Sequence, residues 1–183
     1  MSLSNRFIRT FAIVAAGAIS FSLSADGSPR FPQLKTSDLA GRTLNFPSDF
    51  GSPAALVFVA FQMKQQSDID AWKAFADGER AKRALLAVWE LPTIGSGYKF
   101  MRGIIEGGMR SGIKSEAARE STATLFLDAK AFAEAIGATD MERIAVLVVA
   151  PDGKIVGRAS GRPDAASEAA IAAALTAGFE ASR

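Results

Sequence analysis

Four short runs, apolar except for Thr124, at positions 54–61, 84–89, 123–127 and 144–150, constrain this chain more than anything else in it. Each has the length of a strand and none alternates with polar residues, so each must be covered on both faces. The segments between them supply the cover. At Ser67-Asp-Ile-Asp70 the composition is that of a helix start, with Ser67 as N-cap and Asp70 at the third helical position. The acids there also suit the helix dipole. Ile69, Trp72, Phe75 and Ala76 follow at helical spacing, and Gly78 is the expected stop. A second helix is expected over 128–136, closed by Gly137. A third, Ala-rich one covers 164–179 with Ile171, Leu175 and Phe179 on one stripe.

Two hairpins complete the pattern. Residues 38–46 alternate around Gly41, and Pro151-Asp-Gly-Lys154 is a strong turn between the run at 144–150 and residues 155–159. Positions 47–53 read as a turn region. The order is hairpin, strand, helix, strand, helical insert, strand, helix, hairpin, helix. That order indicates an α/β protein, a three-layer α/β/α sandwich with a mixed sheet and an N-terminal hairpin. No internal repeat is visible, and Trp72 and Trp89 fall on core-facing positions.

The chain has 183 residues but no cysteine and no histidine. A thiolate nucleophile, a redox dithiol and a Cys/His zinc site are therefore excluded. So are a Ser-His-Asp triad and an imidazole proton shuttle. Chemistry would have to come from carboxylates, lysine, Ser/Thr hydroxyls or Tyr98. No catalytic residue, metal-ligand set or cofactor motif stands out. Gly95-Ser-Gly97 matches only the start of a dinucleotide fingerprint. The third glycine position holds Phe100, and no βαβ nucleotide unit surrounds it.

The first 24 residues carry Arg6 and Arg9, no acid, an apolar stretch over 11–21 and small residues before Ala25. This is the pattern of a secretory signal peptide, implying an exported, periplasmic domain over 25–183. An uncleaved membrane anchor and an organellar presequence share that composition. The whole chain has 21 basic and 19 acidic side chains. Loss of Arg6 and Arg9 would make the two signs equal, which argues against a nucleic-acid partner.

Several segments in this order carry a family resemblance: Asp38-Leu-Ala-Gly-Arg-Thr-Leu44, Ala55-Leu-Val-Phe-Val-Ala-Phe61, Leu125-Phe-Leu-Asp128, Ala135-Ile-Gly137 and Ile144-Ala-Val-Leu-Val-Val-Ala-Pro-Asp-Gly-Lys-Ile155. From about residue 31 to 179 the chain resembles the thioredoxin-fold superfamily, in its peroxiredoxin-like and periplasmic thiol-oxidoreductase-like branches. That resemblance implies a thioredoxin-like sandwich. In the superfamily the strand resembling 56–61 runs into a Cys-x-x-Cys or a single reactive cysteine. Here that stretch is Gln62-Met-Lys-Gln65. The family's cis-proline would fall near Ile144, which is not proline. Both departures imply a thioredoxin fold without thioredoxin chemistry. The layout is also similar to the cysteine-poor mitochondrial ATP-synthase assembly factors and their bacterial relatives, through Trp89-Glu-Leu-Pro92 and residues 98–110. This second likeness implies a chaperone-like role toward a protein partner in a membrane complex.

Two regions are candidate sites. Gln62, Gln65, Glu90 and Asp128 are expected near the carboxyl ends of parallel strands, where amides and carboxylates could bind a polar peptide or a cation. Against that, Glu90 could be a solvated loop acid and Asp128 a helix cap. In the insert, Tyr98, Met101, Ile105 and Met109 share helical spacing, accompanied by Lys99, Arg102, Arg110 and Lys114. Such a Met-containing, basic amphipathic segment suits an adaptable protein surface or anionic headgroups. It equally suits a core-covering helix with a solvated basic rim.

Overall fold

The computed structural model describes residues 29–182, so the leader expected over 1–24 lies outside the described residues. The N-terminal hairpin pairs β1 (Leu34–Ser37) with β2 (Thr43–Phe46). Its first strand lies earlier than the alternation around Gly41 suggested, because residues 38–42 form the turn. Asp38 holds that turn: its buried carboxylate accepts the Arg42 backbone N–H at 2.9 Å and Arg42 Nε at 2.6 Å. A 3-10 turn, Ser48–Phe50, follows within the expected turn region.

The main sheet contains β3 (Ala55–Ala60), β4 (Val88–Gly95), β5 (Leu125–Leu127), β6 (Ala145–Val149) and β7 (Ile155–Ser160). Its order is β5-β4-β3-β6-β7. Strands β3, β4 and β5 are parallel, whereas β6 and β7 form the antiparallel hairpin that joins β3 along its other edge. Strand β3 is central, and all six of its residues are buried. Its alternate side chains feed two cores. Ala55, Val57 and Val59 meet Phe31, Phe46, Phe50, Trp89 and Phe132 on one face. Leu56 and Phe58 meet Ile69, Trp72, Ile171 and Leu175 on the other. The sheet is therefore the middle of three layers.

Helix α1 (Gln66–Lys82) and helix α5 (Ala165–Glu180) cover the second core. Two expectations about α1 are corrected. Ser67 is not its N-cap, because the chain already coils through a 3-10 turn at Met63–Gln65 before the α-helix begins. Nor does Gly78 end it. The buried stripe Ile69, Trp72, Ala76 continues to Glu79, whose buried carboxylate pairs with Lys82 and Arg83. Those contacts outweigh the roughly 1 kcal/mol that a helical glycine costs. Trp72 is fully buried and its Nε1 donates to the Gly161 carbonyl at 2.8 Å. Trp89, also core, donates to the Phe50 carbonyl.

The second parallel strand is displaced from its expected place at 84–89. Ala84 and Leu85 lie in the turn after α1, with Leu85 exposed, and β4 runs on through Glu90 and Pro92 to Gly95. The insert follows as a 3-10 segment (Ser96–Met101), α2 (Arg102–Gly112) and α3 (Glu116–Glu120). Helix α4 (Ala129–Ala135) then packs Phe132 and Ala133 into the first core and ends before Gly137, at φ +69°. Asp164 caps α5, accepting from the Ser167 N–H. Among the described residues no helix is long and apolar enough to cross a membrane.

Candidate functional site

Gln62, Met63, Lys64 and Gln65 join the carboxyl end of β3 to α1. Gln65 is buried and uses both ends of its amide internally. Its Oε1 accepts from the N–H groups of Phe61 at 2.8 Å and Gln62 at 3.1 Å, while Nε2 donates to the Met141 carbonyl at 2.8 Å. The strand end, the helix start and the loop before β6 are thereby fastened together. Gln62 adds a second tie, with Nε2 donating to Glu142 Oε1 at 2.6 Å. Lys64 Nζ reaches Glu142 Oε2 at 2.9 Å, an exposed pair. That ammonium, followed by the Gln62 amide, holds the Glu142 carboxyl below the usual carboxylate range. Both glutamine amides, expected as candidate binding groups, make these contacts within the protein. What the turn presents outward is Met63, 96% exposed. Among the described residues the cis peptide bond is Phe46–Pro47, after β2, and not in the loop before Ile144.

Glu90 and Asp128 do not converge. Glu90 is in the middle of β4, in register with Phe58 of β3. Leu127, which precedes Asp128, is level with Gly95. The two carboxylates are therefore separated by about six strand residues, or about 20 Å along the sheet. Asp128 is the N-cap of α4, accepting from the N–H groups of Lys130 and Ala131 at 3.0 Å each. Glu90 is half-buried. Burial pushes its carboxyl above the usual range, opposed by Lys73 and by a hydrogen bond from Gln66. Among the described residues no group of three or more acids is placed to hold a metal ion.

The insert divides its side chains in a way the spacing did not reveal. Met101, Arg102, Ile105 and Met109 are half-buried. Met109 Sδ lies 3.5 Å from Thr124 Oγ1, and the Arg102 guanidinium stands 4.8 Å over the Phe126 ring. Buried Glu106 faces Arg102, with Nε to Oε1 at 3.3 Å. Arg110 Nε donates to the Leu39 carbonyl at 2.8 Å. Arg102, Met109 and Arg110 thus tie the insert to the body. Tyr98 alone of the expected stripe is exposed. Phe100 and Ile104, which the sequence reading missed as surface residues, are more exposed still. Their four-residue separation is a signal that could have found them.

Solved structures resemble this chain over most of its length. A member of the Sco family of cytochrome c oxidase assembly proteins superposes with TM-score 0.57 at 10% identity, covering 84% of this chain and 95% of that one. The pneumococcal exposed lipoprotein thioredoxin of Streptococcus pneumoniae gives 0.52 at 17%, with 79% and 98% covered. A DsbE-type thiol:disulfide interchange protein from Chlorobium tepidum gives 0.51 at 14%, with 83% and 96% covered. The chain has a thioredoxin fold. No protein-family model and no curated protein sequence matches it.

Proposed function

We propose that this is a non-redox binding protein of the cell envelope, with an assembly- or chaperone-like role toward a protein partner engaged around Met63. The observation that carries the reading is the Gln65 tie. Where the family resemblance places a dithiol, the turn holds a buried amide bonded to Phe61, Gln62 and Met141. No side chain there can become a thiolate. The same bonds hold an almost fully exposed methionine on a braced turn, and a pre-ordered, polarisable apolar side chain is suited to packing against another protein. Exposed Lys64 and Glu142 give it a polar rim.

An envelope address is supported by the composition of residues 1–24 and, by fold analogy, by the exposed lipoprotein among the structures that share the fold. The assembly role draws support from the sequence likeness to assembly factors and from the Sco-family structure. A carboxylate enzyme has less support, since Glu90 and Asp128 lie far apart and Asp128 caps a helix. The test is in-cell crosslinking and purification of the tagged protein beside its Met63→Asp variant. The expected result is one specific partner whose recovery drops at least several-fold in the variant, with the thermal melt unchanged. Equal recovery by both proteins would contradict the proposal.

A further inference from the structure

We infer that the insert between β4 and β5 docks this protein on an anionic membrane surface, independently of the contact proposed at Met63. Six large apolar side chains are exposed among the described residues, and Tyr98, Phe100 and Ile104 account for three of them within seven positions. Phe100 and Ile104 are 84% and 73% exposed. Four residues apart on a helical path, they share one side. Gly103, Gly107 and Gly108 surround Ile104 in sequence, and a Cβ at any of them would meet nothing within 4 Å. No neighbouring side chain shields the apolar pair from an incoming surface.

Charge decides what that surface is. From Gly95 to Lys114 the cations Lys99, Arg110 and Lys114 are exposed. The sole acid in that span, Glu106, is buried against Arg102. Residues 95–114 therefore present aromatic and aliphatic groups beside positive charge, and the first exposed acid, Glu116, comes only at the start of α3. That is the combination by which a helix lies in an anionic headgroup layer, with tyrosine at the polar boundary. The inward ties of Arg102, Met109 and Arg110 hold the insert against the body, so docking it docks the whole protein. No described helix is long and apolar enough to cross the bilayer, so the contact is peripheral.

A full-length Phe100→Trp variant reads the contact locally, because the native Trp72 and Trp89 are buried. Its emission is measured with phosphatidylglycerol–phosphatidylcholine vesicles and with pure phosphatidylcholine vesicles, each with and without brominated acyl chains. A blue shift and bromine quenching are expected on the anionic vesicles only, reversed by high salt. Adding Ile104→Ser should weaken that partitioning about tenfold. No shift on anionic vesicles, or an equal response on both lipids, would overturn the inference. A shift produced equally well by soluble polyglutamate would assign the face to an acidic protein instead.

Discussion

Gln65 carries three hydrogen bonds with one buried side chain, and each would leave a main-chain group unpaired if the amide were removed. Gln65→Ala should therefore lose about 3 kcal/mol of stability. The check is a urea titration in which the midpoint falls at constant slope. A midpoint within error of the parent would show that the tie is dispensable. Glu90 gives a prediction with the opposite sign. Burial raises its folded-state pKa, so the folded protein holds this proton to higher pH than the unfolded chain does. Stability from this group is complete below the unfolded-state value of about 4.3 and declines as pH rises through the folded one. Glu90→Gln should thus raise Tm at pH 7 and raise it much less at pH 4, as calorimetry at the two pH values would show. A larger gain at the acid value would contradict the burial argument. Neither residue's role was legible in sequence, because both depend on long-range neighbours: Met141 for Gln65 and Lys73 for Glu90.

Among the elements, glycines separate those packed to contact from those with room. A Cβ at Gly157 in β7 would lie 2.3 Å from the Ala174 Cβ of α5. Gly157→Ala should cost about 1–3 kcal/mol by overpacking. Gly107→Ala in α2 meets open space and should add about 0.5–1 kcal/mol through helix propensity. Chemical denaturation of the pair checks both signs, and two changes of the same sign would contradict the packing. Elements with purely local signals were legible: β3 and β6 from their apolar runs, the 151–154 turn from Pro-Asp-Gly, and α4 and α5 from Asp128 and Asp164. Strand β4 was placed too early because Glu90, Pro92 and Thr93 break its apolar run, although β3 and β5 pair with it through Gly95. The start of α1 was misplaced for a related reason. Ser67 has the composition of a cap, but the preceding 3-10 turn and the Gln65 amide already satisfy the strand-to-helix corner.

At the scale of the whole molecule, a thioredoxin fold has kept its three layers while the position of the expected dithiol has become a brace. The order of segments made the layers legible and the missing cysteines made the lack of a dithiol legible, but neither showed the brace. The outward-facing groups were not legible, since helical spacing picked out the stripe Tyr98, Met101, Ile105 and Met109 and passed over Phe100 and Ile104. Only tertiary contact settles which face is taken, and here Thr124 and Phe126 take the Met109 and Arg102 side. Met63 was hidden likewise, as one apolar residue in a polar turn. The direct measurement is site-specific photocrosslinking in cells, with benzoylphenylalanine placed at Met63 or, as a control, at exposed Lys130 on α4. A discrete protein adduct from position 63 and none from 130 is the expected result. No adduct at 63, or the same adducts at both positions, would contradict a binding role for the braced turn.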